Sequence, residues 1–252
     1  MHTRTPIKNK LSDIDVVILC GGTGSRLRRV VDDRPKPMAE INDRPFLDIL
    51  IDSFCEFGFR RFILCAGYMS QIIRDYYSSP RSSRQFVISE EHKPLGTAGA
   101  IKNAAKFIRS DTFLVANGDS FCSVDLRAFY DFHSARHALM SMVVLDTQNT
   151  GDCGLVSLDG SQRIVGFEER NQRCQSRYVN AGIYLFQKEL LSLIPDDTSF
   201  SLENELFPKI VKQSCYGFVT QGRLIDIGTP ERFAMAIKHL AEKQLQLSET
   251  VS

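Results

Sequence analysis

The chain has 252 residues, 43% hydrophobic and 24% charged, and its 31 Lys and Arg against 30 Asp and Glu leave a formal net charge of +1. That length supports a single α/β domain with a substantial core, and the near-neutral balance excludes a global field able to recruit nucleic acid or an anionic membrane, so any anion selectivity must be local. Seven scattered cysteines without a C-x-x-C pair, no apolar run of 18 residues and a polar start over 1–10 predict reduced thiols in the cytoplasm, with no signal peptide and no membrane span.

Flexible tails are expected at 1–13 and 246–252, flanking a domain over 14–245. The apolar run 16–19 predicts a buried strand, followed at once by Cys20-Gly21-Gly22-Thr23-Gly24-Ser25-Arg26. Glycine lets backbone N–H groups approach an anion without a Cβ in the way, and Arg26, Arg28, Arg29, Arg34 and Lys36 add full charges, so the stretch suits phosphates. A Walker loop is excluded because Gly24 is followed by Ser25-Arg26, and the later glycine and acid of a dinucleotide fingerprint are missing. Leu47, Leu50, Ile51 and Phe54 fall at helical spacing before Gly58, and 62–66 reads as the next buried strand. A helix over 72–77, a strand over 86–89 and a loop over 90–96 follow. Thr97 is expected to cap a helix running to 107, with Ala98, Gly99 and Ala100 leaving its first turn bare for a close ligand. The strand 113–116 ends in Asn117-Gly118-Asp119.

The second half predicts strands at 142–145, 155–158, 164–167 and 183–186 with turns such as Asp159-Gly160, so a mixed extension of the sheet, and helices at 190–194, 203–211 and from Pro230, where Thr229-Pro230 forms an N-cap and N1 pair. The two halves are expected to share one sheet with a cleft between them. His133 and His137 have metal-pair spacing but lack the Glu of H-E-x-x-H, so they are expected on a solvent-facing helix, and no nucleophile triad or G-x-S-x-G is present. Asp119, at the carboxyl end of a buried strand, suits Mg²⁺ held together with phosphate oxygens. Asp226, between apolar residues, is equally a second metal acid or a turn former. Glu168-Glu169-Arg170 and Tyr178-Val179-Asn180-Ala181-Gly182 offer acceptors and donors for sugar hydroxyls and a cation for a phosphate, although a solvated strand end accounts for each alone.

Taken in order, Gly21-Gly22-Thr23-Gly24-Ser25-Arg26-Leu27, Pro35-Lys36-Pro37, Pro94-Leu95-Gly96-Thr97-Ala98-Gly99-Ala100, Asn117-Gly118-Asp119, Phe167-Glu168-Glu169-Arg170, Asn180-Ala181-Gly182 and Asp226-Ile227-Gly228-Thr229-Pro230 resemble the sugar-1-phosphate nucleotidyltransferases over about residues 14–240. Cys20 before the glycines, Asp33-Arg34-Pro35-Lys36-Pro37-Met38 and Asn42-Asp43-Arg44-Pro45-Phe46-Leu47 are most similar to bacterial D-glycero-α-D-manno-heptose 1-phosphate guanylyltransferases. The resemblance implies a Rossmann-like three-layer nucleotidyltransferase (GT-A-like) fold, α/β with a mixed central sheet in one domain, and no appended left-handed β-helix.

It also implies a reaction, GTP plus a sugar 1-phosphate giving a GDP-sugar for surface glycan synthesis and pyrophosphate, with Mg²⁺. Arg26, Lys36 and Asp119 would be catalytic; Cys20, Gly21, Gly22, Thr23, Gly24, Ser25, Glu91, Gly96 and Thr97 would bind nucleotide; Asp119 and Asp226 would hold the metal. Gly154, Glu169, Arg170 and Asn180 would bind the sugar phosphate, with Arg170 standing where the family usually has lysine. Glu91 would accept from guanine N1–H and N2–H₂, which favours GTP. A mannose-1-phosphate guanylyltransferase, a uridylyl- or thymidylyl-transferring relative, or a non-catalytic sugar-nucleotide-binding subunit are the alternatives, and a homo-oligomer is compatible with all of them.

Overall fold

The computed structural model describes residues 11–79, 84–147, 154–168 and 176–249. A 3-10 turn, Leu11–Asp13, buries Leu11, so packed structure reaches at least three residues ahead of 14. In β1 (Asp15–Leu19) Val16 and Ile18 enter one core cluster and Val17 the other, the pattern of a strand covered on both faces. A short hairpin, β2 (Glu40–Ile41) and β3 (Arg44–Pro45), turns through Asn42 and Asp43 at φ 51° and 60°, as a type I′ turn requires. Then come α1 (Phe46–Glu56), which buries the residues expected from its spacing, β4 (Arg61–Ala66), α2 (Ser70–Tyr77) and β5 (Gln85–Glu90). They are followed by α3 (Gly96–Ala104), a 3-10 turn and β6 (Thr112–Asn117). These four long strands are parallel in the order β5-β4-β1-β6.

The second half adds β7 (Ser120–Cys122), α4 (Leu126–Ala135), β8 (Met140–Asp146), β9 (Leu155–Leu158), β10 (Ile164–Glu168) and β11 (Tyr178–Gln187). A 3-10 helix, Lys188–Leu193, and a π-helix, Leu202–Leu206, lead into α5 (Phe207–Ile210). The chain closes with β12 (Cys215–Thr220), β13 (Leu224–Asp226) and α6 (Pro230–Glu249), which continues past residue 245. The helix expected at 190–194 thus forms as a 3-10 helix, and that at 203–211 as a π-helix that gives way to the four-residue α5. At the second, Pro208 has no N–H to give the carbonyl four residues back, which disfavours a regular α ladder there.

The mixed sheet is continuous, as expected: β11 runs antiparallel to β6 and β8, and β12 lies parallel to β8. β6 pairs with Ile183–Gln187 of β11, whereas β9 pairs with Tyr178 and Val179 farther along, with β10 antiparallel to β9. Because β8 occupies the other edge of β11, β6 and β9 share one edge, and a cleft opens where β6 ends. One face of the sheet is covered by α3 and the segment Leu202–Ile210, the other by α1, α2 and α4. A smaller third cluster, including Leu27, Phe46, Ile225 and Leu240, fixes α6 and β13 to the loop after β1.

Among the described residues, no helix is long and apolar enough to cross a membrane. The solvent-facing place expected for His133 is corrected, since the residue is 1% exposed. It shares the inward stripe of Leu126 and Phe129, and its ring nitrogens meet Ser141 Oγ at 2.9 Å and Gln187 Nε2 at 3.0 Å. Since the Gln187 amide donates, His133 is a neutral imidazole whose Nδ1–H donates to Ser141, and burial pushes its pKa from 6.5 down to about 4. His137 lies past the end of α4 at φ 46°, so the two do not form a pair on one helical face.

Candidate active site

The carboxyl ends of β1, β4, β5 and β6 all stop at one rim, where an open parallel sheet presents ligand-binding loops. Their loops enclose a cavity of about 550 Å³. Its walls include Cys20, Gly21, Gly22 and Thr23 after β1, Gly67 and Tyr68 after β4, Glu91 after β5 with Gly96 and Thr97 beyond it, and Asn117 at the end of β6 with Asp119 after it. Gly24 and Ser25 continue the first loop outside the lining. Gly24 has φ 60°, and a Cβ there would stand 3.1 Å from Lys36 Cβ, so its part is to turn the loop closely past Lys36. A Cβ on Gly21 would run into the Glu91 carboxylate. Glu91 Oε2 accepts the Leu95 N–H at 3.0 Å, and burial raises the carboxyl pKa while that hydrogen bond lowers it. Cys20 is a buried thiol whose pKa is pushed well up by burial, so it shapes the floor and does not react.

The expected N-cap role of Thr97 is corrected. Leu95 occupies the cap position of α3, and the Phe200 carbonyl accepts from Ala98 N at 2.9 Å and Gly99 N at 3.0 Å, while Phe200 N donates to Leu95 O at 2.8 Å. Thr97 Oγ1 instead donates to Glu203 Oε2 at 2.9 Å and accepts from Leu202 N at 2.7 Å. The bare first turn therefore admits the chain's own strap over 198–203 at Ala98 and Gly99, while Gly96, Thr97 and Ala100 line the cavity. A Cβ on Gly99 would stand 2.6 Å from Thr198 O.

Two of the expected catalytic residues meet at the mouth, where Lys36 Nζ donates to Asp119 Oδ2 at 2.5 Å. The small ladder of β7 with β13 places Asp226 opposite Ser120, and Ile227 N donates to Asp119 O at 3.0 Å, so both expected metal acids come to one corner. Asp226 Oδ1 accepts from Gly228 N at 2.8 Å and Arg232 Nη1 at 3.2 Å. Arg26 shares that corner, because a Cβ on Gly228 would lie 3.6 Å from its Nη2 and 2.9 Å from Asp226 Oδ1. Two part-exposed carboxylates are hard oxygen donors that suit a Mg²⁺ ion whose other ligands are phosphate and water oxygens. Among the described residues, no group of three or more His, Cys, Asp or Glu could form a fuller cage.

The run of five cations does not act together as expected. Lys36 alone of the five lines the cavity. Arg34 pairs with Asp33 and Glu40, and the Arg28 guanidinium sits 4.0 Å above the Tyr68 ring. At the residues expected to meet the sugar, Asn180 N donates to Gly154 O at 2.9 Å, and the Asn180 side chain is fixed by Tyr184 Oη at 2.7 Å and Gly182 N at 2.9 Å. Gly182, at φ 73°, lets the β11 bulge lie against Asn117, where a Cβ would be 2.7 Å from its Nδ2. Glu169 and Arg170 lie outside the described residues. The sequence reading gave no role to Tyr68, His92, Lys93 or Asn117, all in the cavity wall. The rule that ligands meet the carboxyl ends of parallel strands, applied to each strand in turn, points to Tyr68 and Asn117.

A family model described as nucleotidyl transferase matches residues 15–243. The chain is 31% identical to D-glycero-alpha-D-manno-heptose 1-phosphate guanylyltransferase of Campylobacter jejuni, over 87% of this chain and 97% of that one. It is 33% identical to the mannose-1-phosphate guanylyltransferase of Mycobacterium tuberculosis over 87% of this chain, and spans 62% of that longer protein. A crystal structure of HddC from Yersinia pseudotuberculosis superposes with TM-score 0.79 at 34% identity, covering 90% of this chain and 99% of that one, and HddC has also been solved complexed with GMP-PN.

Proposed function

This chain belongs to the nucleotidyl transferase family, and we propose that it transfers the guanylyl group of GTP to D-glycero-α-D-manno-heptose 1-phosphate, giving GDP-heptose and pyrophosphate for surface glycan synthesis. The observation that carries the reading is the corner where Lys36, Asp119 and Asp226 meet beside a glycine-lined cavity. The similarity to a heptose enzyme over nearly its whole length supports that sugar, and the free thiols of Cys20, Cys55, Cys65, Cys122 and Cys215 support the cytoplasm.

A phosphomonoester has its second pKa near 6, so the attacking oxygen of the sugar phosphate is already anionic at neutral pH and needs no base. The site must hold two anions in line at the α-phosphorus and offset their repulsion. The backbone of Gly21 and Gly22 admits the triphosphate closely, Lys36 and Arg26 stabilise the departing pyrophosphate, and Asp119 and Asp226 would hold the Mg²⁺ that the resemblance to sugar-1-phosphate nucleotidyltransferases implies. That ion would supply charge neutralisation at the phosphates. Gly154 and Asn180 orient the sugar, joined by Glu169 for its hydroxyls and Arg170 for its phosphate. Glu91 reads guanine from the cavity floor, with the Leu95 N–H holding one of its oxygens in place.

A pyrophosphate-release screen tests this. It crosses four nucleoside triphosphates with heptose, mannose, glucose and N-acetylglucosamine 1-phosphates, with and without Mg²⁺. Turnover with GTP and the heptose phosphate alone is expected, and preference for UTP or for another sugar refutes the assignment.

A further inference from the structure

Asp226 is already engaged by a protein cation and a backbone N–H. Its Oδ1 accepts from Gly228 N and from Arg232 Nη1, and the Asp226 and Arg232 side chains are 31% and 32% exposed. Arg232 stands in the first turn of α6, where Thr229 Oγ1 accepts its N–H at 3.3 Å, so a capped helix delivers the guanidinium to the carboxylate. The second acid has the same arrangement, with Lys36 Nζ on Asp119 Oδ2. Against the two acids stand Lys36, Arg232 and the Arg26 that shares the corner, so the corner carries a net charge of about +1 before any metal enters. A dication entering alone would leave the corner strongly positive, whereas one entering with a triphosphate would not.

Resting on the assignment of Asp226 to the metal, we infer that Arg232 is a positioning residue that competes with the metal for Asp226. It holds the carboxylate in the metal-free chain, disfavours a metal that arrives by itself, and yields the carboxylate when metal and nucleotide arrive together. The triphosphate oxygens then give the displaced guanidinium a new partner, in the charge-assisted geometry that arginine favours. Arg232 thereby makes metal binding conditional on nucleotide.

The test is a Mn²⁺ titration of the full chain followed by electron paramagnetic resonance, without nucleotide and then with a non-hydrolysable GTP analogue. Removing a full positive charge within hydrogen-bond reach of a metal ligand should tighten free Mn²⁺ binding by roughly tenfold in Arg232→Gln. Arg232→Lys, which keeps the charge, should bind Mn²⁺ like the parent, and the gain in Arg232→Gln should shrink or reverse once the analogue is bound. If Asp226→Asn weakens Mn²⁺ binding while Arg232→Gln leaves it unchanged or weaker, the role of Arg232 is overturned and the metal assignment stands. If Asp226→Asn binds Mn²⁺ like the parent, the metal assignment falls and the inference falls with it.

Discussion

Gly99→Ala sets two opposed effects against each other at one atom. Inside an exposed helix the change would stabilise by about 1 kcal/mol, because alanine loses less backbone entropy than glycine. In α3 the new Cβ would lie 2.6 Å from Thr198 O and 3.1 Å from Leu95 Cβ, and the first of these is backbone, so the neighbour cannot simply rotate away. Either the overlap persists, at about 1–3 kcal/mol for an overpacked core, or the strap retreats. In the second case the Ala98 and Gly99 N–H groups lose the Phe200 carbonyl, at about 1 kcal/mol each. Set against the helical gain, the first route leaves a net loss of about 0–2 kcal/mol and the second about 1 kcal/mol, so the expected loss is about 1 kcal/mol, a fall in Tm of about 2–4 °C at this chain length. Urea and thermal unfolding measure it, with Gly160→Ala as the control because a Cβ there meets nothing within 4 Å. A Gly99→Ala protein at least as stable as its parent refutes the steric argument. Because the strap also holds Thr97 of the cavity wall through Leu202 N and Glu203, nucleotide KM should rise with the loss of stability, and an unchanged KM refutes that link.

Asp119→Asn should reduce turnover by roughly 10² or more, as loss of a main electrostatic stabiliser does, and pyrophosphate release near the parent rate would contradict its role. Glu91→Gln should erode discrimination against UTP by about 1–3 kcal/mol, read as the ratio of kcat/KM values. Because burial raises the Glu91 pKa, the same preference in the parent should weaken as pH falls, and a pH-independent ratio would argue against the carboxylate as reader. His133 binds its proton more weakly folded than unfolded, so its contribution is fully present above 6.5 and is lost as pH falls toward about 4. The loss of about 3 kcal/mol should be missing from His133→Gln, and parallel stability profiles for parent and variant would refute it.

What could be read from the sequence was whatever depends on local pattern. The strands before Cys20 and Asn117 announce themselves as apolar runs, the glycines mark close backbone approach, and Thr229-Pro230 marks a helix start, so the site loops were legible. Thr97 misled because its neighbourhood satisfies the rule for an N-cap, while the cap is supplied by the Phe200 carbonyl about a hundred residues away, and a backbone carbonyl has no sequence signature. His133 misled for a related reason. Its i, i+4 partner drew notice, yet its i−4 and i−7 neighbours, Phe129 and Leu126, already set the inward face. The buried pair of Arg61 with Asp15, which also ties the Ser110 N–H at 3.0 Å, joins strand starts that only the folded sheet brings together.

Asp226 reaches the corner on a segment joined to the rest by the short β7–β13 ladder and the smallest of the three core clusters. Such a unit belongs to the low end of the stability spectrum within one fold, where segments open while the main sheet stays closed. A partly opened molecule would keep its glycine loop, Lys36 and Asp119, and so still hold a nucleotide, but without the second acid. The last helix therefore sets a threshold for competence that lies below the threshold for unfolding.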